Sequence, residues 1–199
     1  MNRLPRRRGE CMSNRDRLIR AIRDRSSEHG KAMQLLADAK LAGQMVAVLR
    51  QELDSMVRSI YLIAQPLERR NLLIDALVNG EKWTREGSRA KVTDRELVDF
   101  ARNLQGWAQN VYKFGCAFIH LSILHDYNNS DPLEHLTSNE RSELFEYCRF
   151  YHSGPPAGFE QFTDLVPYFP KVLEKISANL DCYLEVLERN EVQKPEDIW

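Results

Sequence analysis

The side chains best suited to chemistry are a few histidines and cysteines, and two of the histidines stand in one apolar stretch. Residues 111–127 read VYKFGCAFIHLSILHDY, apolar on nearly every face of a helix, with His120 and His125 inside. His125 falls where such a helix ends. There the macrodipole favours a positive imidazolium, so the side chain could act as a general acid or base or hold a phosphate. It could equally hydrogen-bond the last free carbonyls of its own helix, with Asp126 as a turn residue. Cys116 with His120, and Cys148 with His152, are each spaced by four residues, which puts thiol and imidazole on one helix face. Two such faces meeting would supply a Cys2His2 zinc set, and either pair alone could be a nucleophile and its base. Buried cysteines most often act as small hydrophobes, and no metal or cofactor is assigned. The catalytic candidates are His125, His152 and Arg149, with His120 expected to be a satisfied core histidine.

Two further groups carry weaker signals. The segment GEKWTREGSRAKV combines Lys82, Arg85, Arg89 and Lys91 with Trp83, which could contact phosphates while the indole stacks on a base. A solvated connector is the alternative, because Glu81, Glu86 and Asp94 offset much of the charge. Phe150, Tyr151, Phe159, Phe162, Tyr168 and Phe169 surround the loop SGPPAG and either line a pocket or cover an open end of the fold.

These residues must be positioned by helices. Leu35, Ala39, Ala42, Val46, Leu49, Leu53, Met56, Ile60 and Ile63 recur in steps of four and three, the seam of one long helix that Pro66 ends. A short helix follows and stops at Asn79-Gly80, a pair suited to the left-handed C-terminal conformation. Thr93 with Glu96 is a reciprocal capping pair. From there Leu97, Leu104, Val111, Phe118 and His125 fall at sevens, with Phe100, Trp107, Phe114 and Leu121 between them. This predicts a central helix of about 30 residues, ~45 Å long, buried in the middle of the molecule and antiparallel to the first. NNSDP ends it. Another helix starts at Thr137 with Glu140 as its capping partner, and a last one carries Leu173, Ile176, Leu180, Tyr183 and Leu187 on one face. The expected architecture is all-α, an up-and-down helical bundle with two long antiparallel helices and shorter C-terminal ones. Residues 1–29 are expected to form a basic arm, 30–190 the bundle and 191–199 a polar tail.

The chain of 199 residues, 43% apolar and 29% charged, has the composition of a globular protein with one sizeable core. No apolar run reaches the ~18 residues that span a bilayer. The N-terminus lacks the apolar region of a secretory signal, and the scattered cysteines fit reduced thiols, so the expected location is cytoplasmic. Met12 is a second plausible start. The net charge of −1 hides an asymmetry. Residues 1–25 hold nine arginines against three acids, whereas residues 126–199 hold six basic and fifteen acidic side chains. A basic arm of this kind touches nucleic acid or folds against an acidic surface, and it can also be simply solvated.

Long antiparallel helices followed by shorter ones, with FIHLSILHDY on the inner helix, resemble the HEPN superfamily of small helical bundles over roughly residues 30–190. The resemblance implies a homodimer acting on or with RNA, often within bacterial defence or toxin-antitoxin systems. Active members cut RNA without metal, using an arginine followed at a short interval by a histidine. Here the pattern departs. Arg23 with His29 lies ahead of the first long seam, Arg70-Asn71 has no histidine in reach, and Arg149 stands too close to His152. The resemblance therefore implies a non-catalytic or divergent member, binding protein or RNA and self-associating through a long helix. The alternative is a metal-independent endoribonuclease using His125, His120 or His152 with nearby arginines.

Overall fold

A computed structural model of the chain describes residues 12–102 and 107–193. It is all-α among these residues: α1 (Asn14–Asp38), α2 (Ala42–Ile63), α3 (Leu67–Val78), α4 (Asp94–Ala101), α5 (Ala108–Ile119), α6 (Ser138–His152), a single turn α7 (Phe162–Leu165) and α8 (Phe169–Glu188). The only extended pairing among the described residues is an isolated bridge between Thr84 and Lys91. Among the described residues no helix is long and apolar enough to cross a membrane.

The two long antiparallel helices are α1 and α2 rather than the 35–63 seam and the segment from Thr93 that the periodicity pairs, and the seam itself is divided between them. The seam from Leu35 to Ile63 is continuous in sequence, but the chain reverses at Lys40, whose φ is +57°. The Leu41 amide bonds back to the Leu36 carbonyl at 2.9 Å and the Lys40 amide to Ala37 at 3.1 Å, the closure of a helix that ends on a left-handed residue. Residues 14–29, expected as part of an arm, form the first turns of α1. Ser13 caps them by accepting from the Asp16 amide, and α1 packs on α2, α3 and α8. Residues 1–11 lie outside the described residues.

The central helix is α2, not the segment with the histidines. Leu53, Met56, Val57, Ile60 and Ile63 are fully enclosed, with α1, α4, α5 and α8 packed around them. Each fully buried aliphatic side chain there contributes roughly 1.5–3 kcal/mol. The predicted 30-residue helix is instead two: α4 and α5 are separate elements, and Leu104 of the predicted heptad lies outside the described residues. After Ile119 the chain turns extended at His120, φ −93° and ψ 147°. Ser122 explains the break, because its hydroxyl donates to the Ala117 carbonyl at 2.7 Å and accepts from the Leu124 amide at 3.3 Å, competing with the helix for both groups.

Both capping pairs are formed. Thr93 and Glu96 start α4, Thr137 and Glu140 start α6. Gly80, φ +75°, closes α3 as the Asn79-Gly80 pair predicts. Arg70 closes α2: completely buried, it donates to the carbonyls of Leu62 (2.9 Å), Ile63 (2.8 Å) and Glu191 (2.7 Å). Together with the Gln193 amide on the Ile63 carbonyl at 3.0 Å, this fastens the start of the expected C-terminal tail to the bundle.

Candidate functional site

The residues with chemical potential are distributed over three places. His125 lies in a 3-10 turn, Ile123–Asp126. It is exposed, its ring edge-on to Phe118 with centroids 5.6 Å apart and Nε2 3.3 Å from the His120 carbonyl. Asp126 accepts from the Asn129 amide group at 2.6 Å and serves the turn. His120 is exposed rather than buried in the core, a consequence of the break at Ser122. Behind this turn Phe114, Phe118, Tyr127, Phe162 and Phe169 form one ring cluster, with Phe118 and Phe162 stacked at 5.6 Å.

The second place is α6. Arg149 donates to the Pro155 carbonyl at 3.0 Å and pairs with Glu160 at 3.3 Å, so its guanidinium holds the following loop. One turn on, His152 ends the helix over a cavity of about 100 Å³ between α2, α5, α6 and α8. The walls are predominantly apolar, formed by side chains such as Leu49, Val111, Phe114, Leu144, Cys148 and Phe169, with Asn110, His152 and Lys175 also on the lining. Burial lowers the His152 pKa, with the positive charges of Lys175 and Lys171 adding to the effect. Burial raises the Cys148 thiol to about 11, which keeps it protonated and inert at neutral pH.

Cys116, His120, Cys148 and His152 do not assemble into a ligand set. Among the described residues no three His, Cys, Asp or Glu side chains converge on a point that could hold a metal ion. The described cysteines, Cys116, Cys148 and Cys182, are free.

The third place was not singled out from sequence. His29 is buried, its Nδ1 2.6 Å from Glu52 Oε2 and its Nε2 3.2 Å from Gln51 Oε1. Glu52, with no exposed surface, also accepts from the Ser26 hydroxyl and from Ser177 at 2.8 Å. Burial pushes its carboxyl up, but the hydrogen bonds from His29, Ser26 and Ser177 outweigh that and hold it below the ordinary value. The signal available in the sequence was the four-residue step from Val48 to Glu52 to Met56, a carboxylate on a face otherwise apolar. Among the described residues this is the one close histidine–carboxylate pair, and it lies inside the fold, joining α1, α2 and α8 out of reach of substrate.

The basic loop is likewise rearranged. Trp83 is buried, donates from Nε1 to the Leu73 carbonyl at 2.8 Å and stacks on Tyr61 at 5.7 Å. Its indole is core and cannot stack on a base. The aromatic group around SGPPAG divides: Phe162 and Phe169 are interior, while Phe150 is 80% exposed, Phe159 56% and Tyr151 44%.

An all-α bundle with an apolar cavity under one helix and an aromatic outer face on that helix is the class of protein these features define. In comparisons with known proteins the chain matches no protein family, no curated protein and no solved structure.

Proposed function

We propose that the chain is a non-catalytic, HEPN-like helical bundle that acts by binding protein, a second copy of itself included, through the outer face of α6. The observation that carries this reading is Phe150, 80% exposed, beside Tyr147, Tyr151, Glu143, Glu146 and Arg149 around one broad cleft. Exposed aromatics flanked by charged side chains suit a two-fold contact with an aromatic centre and a polar rim. The same glutamates disfavour a nucleic-acid phosphate chain. Against catalysis stand the separate partners of His125, His152 and Arg149: a ring, a cavity and a loop carbonyl.

A cleavage assay tests the reading. Purified chain incubated with single-stranded RNAs of varied sequence, without added metal, is expected to leave them intact. Cleavage that disappears in His125→Ala or His152→Ala would replace this reading with the endoribonuclease one.

A further inference from the structure

The cavity beneath α6 meets a second, polar cleft, and the two share Tyr151, His152 and Lys175. We propose that this composite site binds a small amphiphilic carboxylate, its aryl or short alkyl group in the apolar cavity and its carboxylate at Lys175 and Lys171. The inference does not depend on the pairing of α6 with another protein.

Size sets the apolar part. A cavity of roughly 150 Å³ lined by aliphatic and aromatic side chains stays dry and takes up benzene, so about 100 Å³ that opens on one side holds a group no larger than one ring or a short chain. The lining there offers such a group dispersion contacts from Phe114, Phe169 and Leu49.

Charge sets the head. The Lys175 ammonium lies 5.2 Å from the centre of the Tyr151 ring and the Lys171 ammonium 3.4 Å from the His152 carbonyl. Neither forms an ion pair with a carboxylate among the described residues, although Glu174 lines the same cleft. Two ammonium groups with one glutamate nearby suit a single negative charge better than a phosphate dianion. His152, held toward its neutral form by burial and the two lysines, can take up a proton as the carboxylate arrives.

Calorimetric titration of the full chain with phenylacetate, 2-phenylethanol and phenethylamine separates the contributions, because the three probes share the ring and differ in the head. Phenylacetate is expected to bind saturably and one-to-one, the alcohol about tenfold more weakly and the amine not measurably, a ratio that one charge-assisted hydrogen bond accounts for. Val111→Trp, which fills the cavity, is expected to abolish binding of all three. Lys175→Met, at an exposed position, is expected to bring phenylacetate down to the alcohol's affinity while leaving the circular dichroism and the thermal midpoint unchanged. In a histidine NMR titration, saturating phenylacetate is expected to raise the His152 pKa. Equal affinity for the three probes, no binding of phenylacetate to the wild type, or undiminished binding by Lys175→Met would overturn the proposal, even if Val111→Trp failed to fold.

Discussion

At the scale of single residues, the polar groups that matter most to this fold are the ones furthest from solvent. Glu52 accepts from three side chains on two other helices, and Arg70 donates to two carbonyls at the end of α2 and to that of Glu191, where the chain returns after α8. Removing a charged partner from such a network leaves the others buried without hydrogen bonds, which costs more than the network contributes when intact. Glu52→Gln is therefore expected to lose about 2–3 kcal/mol at pH 7, read from urea unfolding. The pH dependence has a defined sign. Because the folded pKa of Glu52 lies below its ordinary 4.5, the stability it adds is complete above that value and disappears as pH falls through the folded one. The gap between wild type and Glu52→Gln should narrow as the pH is taken from about 6 to about 3; a gap independent of pH would show that the carboxylate charge is not what the network stabilises. None of this was legible in the sequence beyond a charge on an apolar face, since residues distant in the chain complete the network. In the sequence Arg70 stands out only for its neighbour Asn71 and the start of a catalytic pattern, while its use, satisfying carbonyls that a helix end leaves free, depends on where the chain returns at Glu191.

At the scale of elements, starts and stops were easier to read than continuity. Thr93, Thr137, Pro66 and Asn79-Gly80 carry local chemistry that acts wherever the segment lies, and all four boundaries stand within a residue or two of the predicted places. Periodicity misled in two places for one reason. A heptad pattern tells which face is apolar but not whether the backbone stays helical, so the seam through Ala39 and Ala42 continues across a tight reversal, and the one through Phe118 and His125 across the turn at Ser122. Lys40 offers a direct check on the first. A non-glycine residue in the left-handed region costs roughly 1–2 kcal/mol relative to what glycine needs there. Lys40→Gly is expected to raise stability by about 1 kcal/mol, seen as a higher urea midpoint at unchanged slope. A lower midpoint would mean that residues 39–41 are helical and that α1 and α2 are one element.

At the scale of the whole molecule, a pair of long antiparallel helices is present, but it is α1 with α2, not the 35–63 seam with the segment from Thr93. The all-α class was legible, because apolar stripes of helical period fill the chain and no strand alternation competes with them. Which helix is central was not. Residues 111–127 are the most apolar stretch, yet Ile119, Leu121 and Ile123 are exposed, and the enclosed position belongs to α2, whose buried Arg50 and Glu52 find partners on other elements while the buried Ser59 bonds back to the Ser55 carbonyl of its own helix. Enclosing α2 also removes it as a surface for self-association, and the outward face of α1 is charged, with Arg17, Arg20, Asp24 and Glu28 exposed. That moves the expected self-association from a long helix to α6, where Phe150 and Tyr151 stand clear of the bundle. Sedimentation velocity over a concentration series, on wild type and on Phe150→Glu, tests that claim most directly. The wild type is expected to shift from monomer to dimer as concentration rises, and Phe150→Glu, with an unchanged helical spectrum, to remain monomeric throughout; a wild type that stays monomeric, or a variant that dimerises as the wild type does, would contradict it.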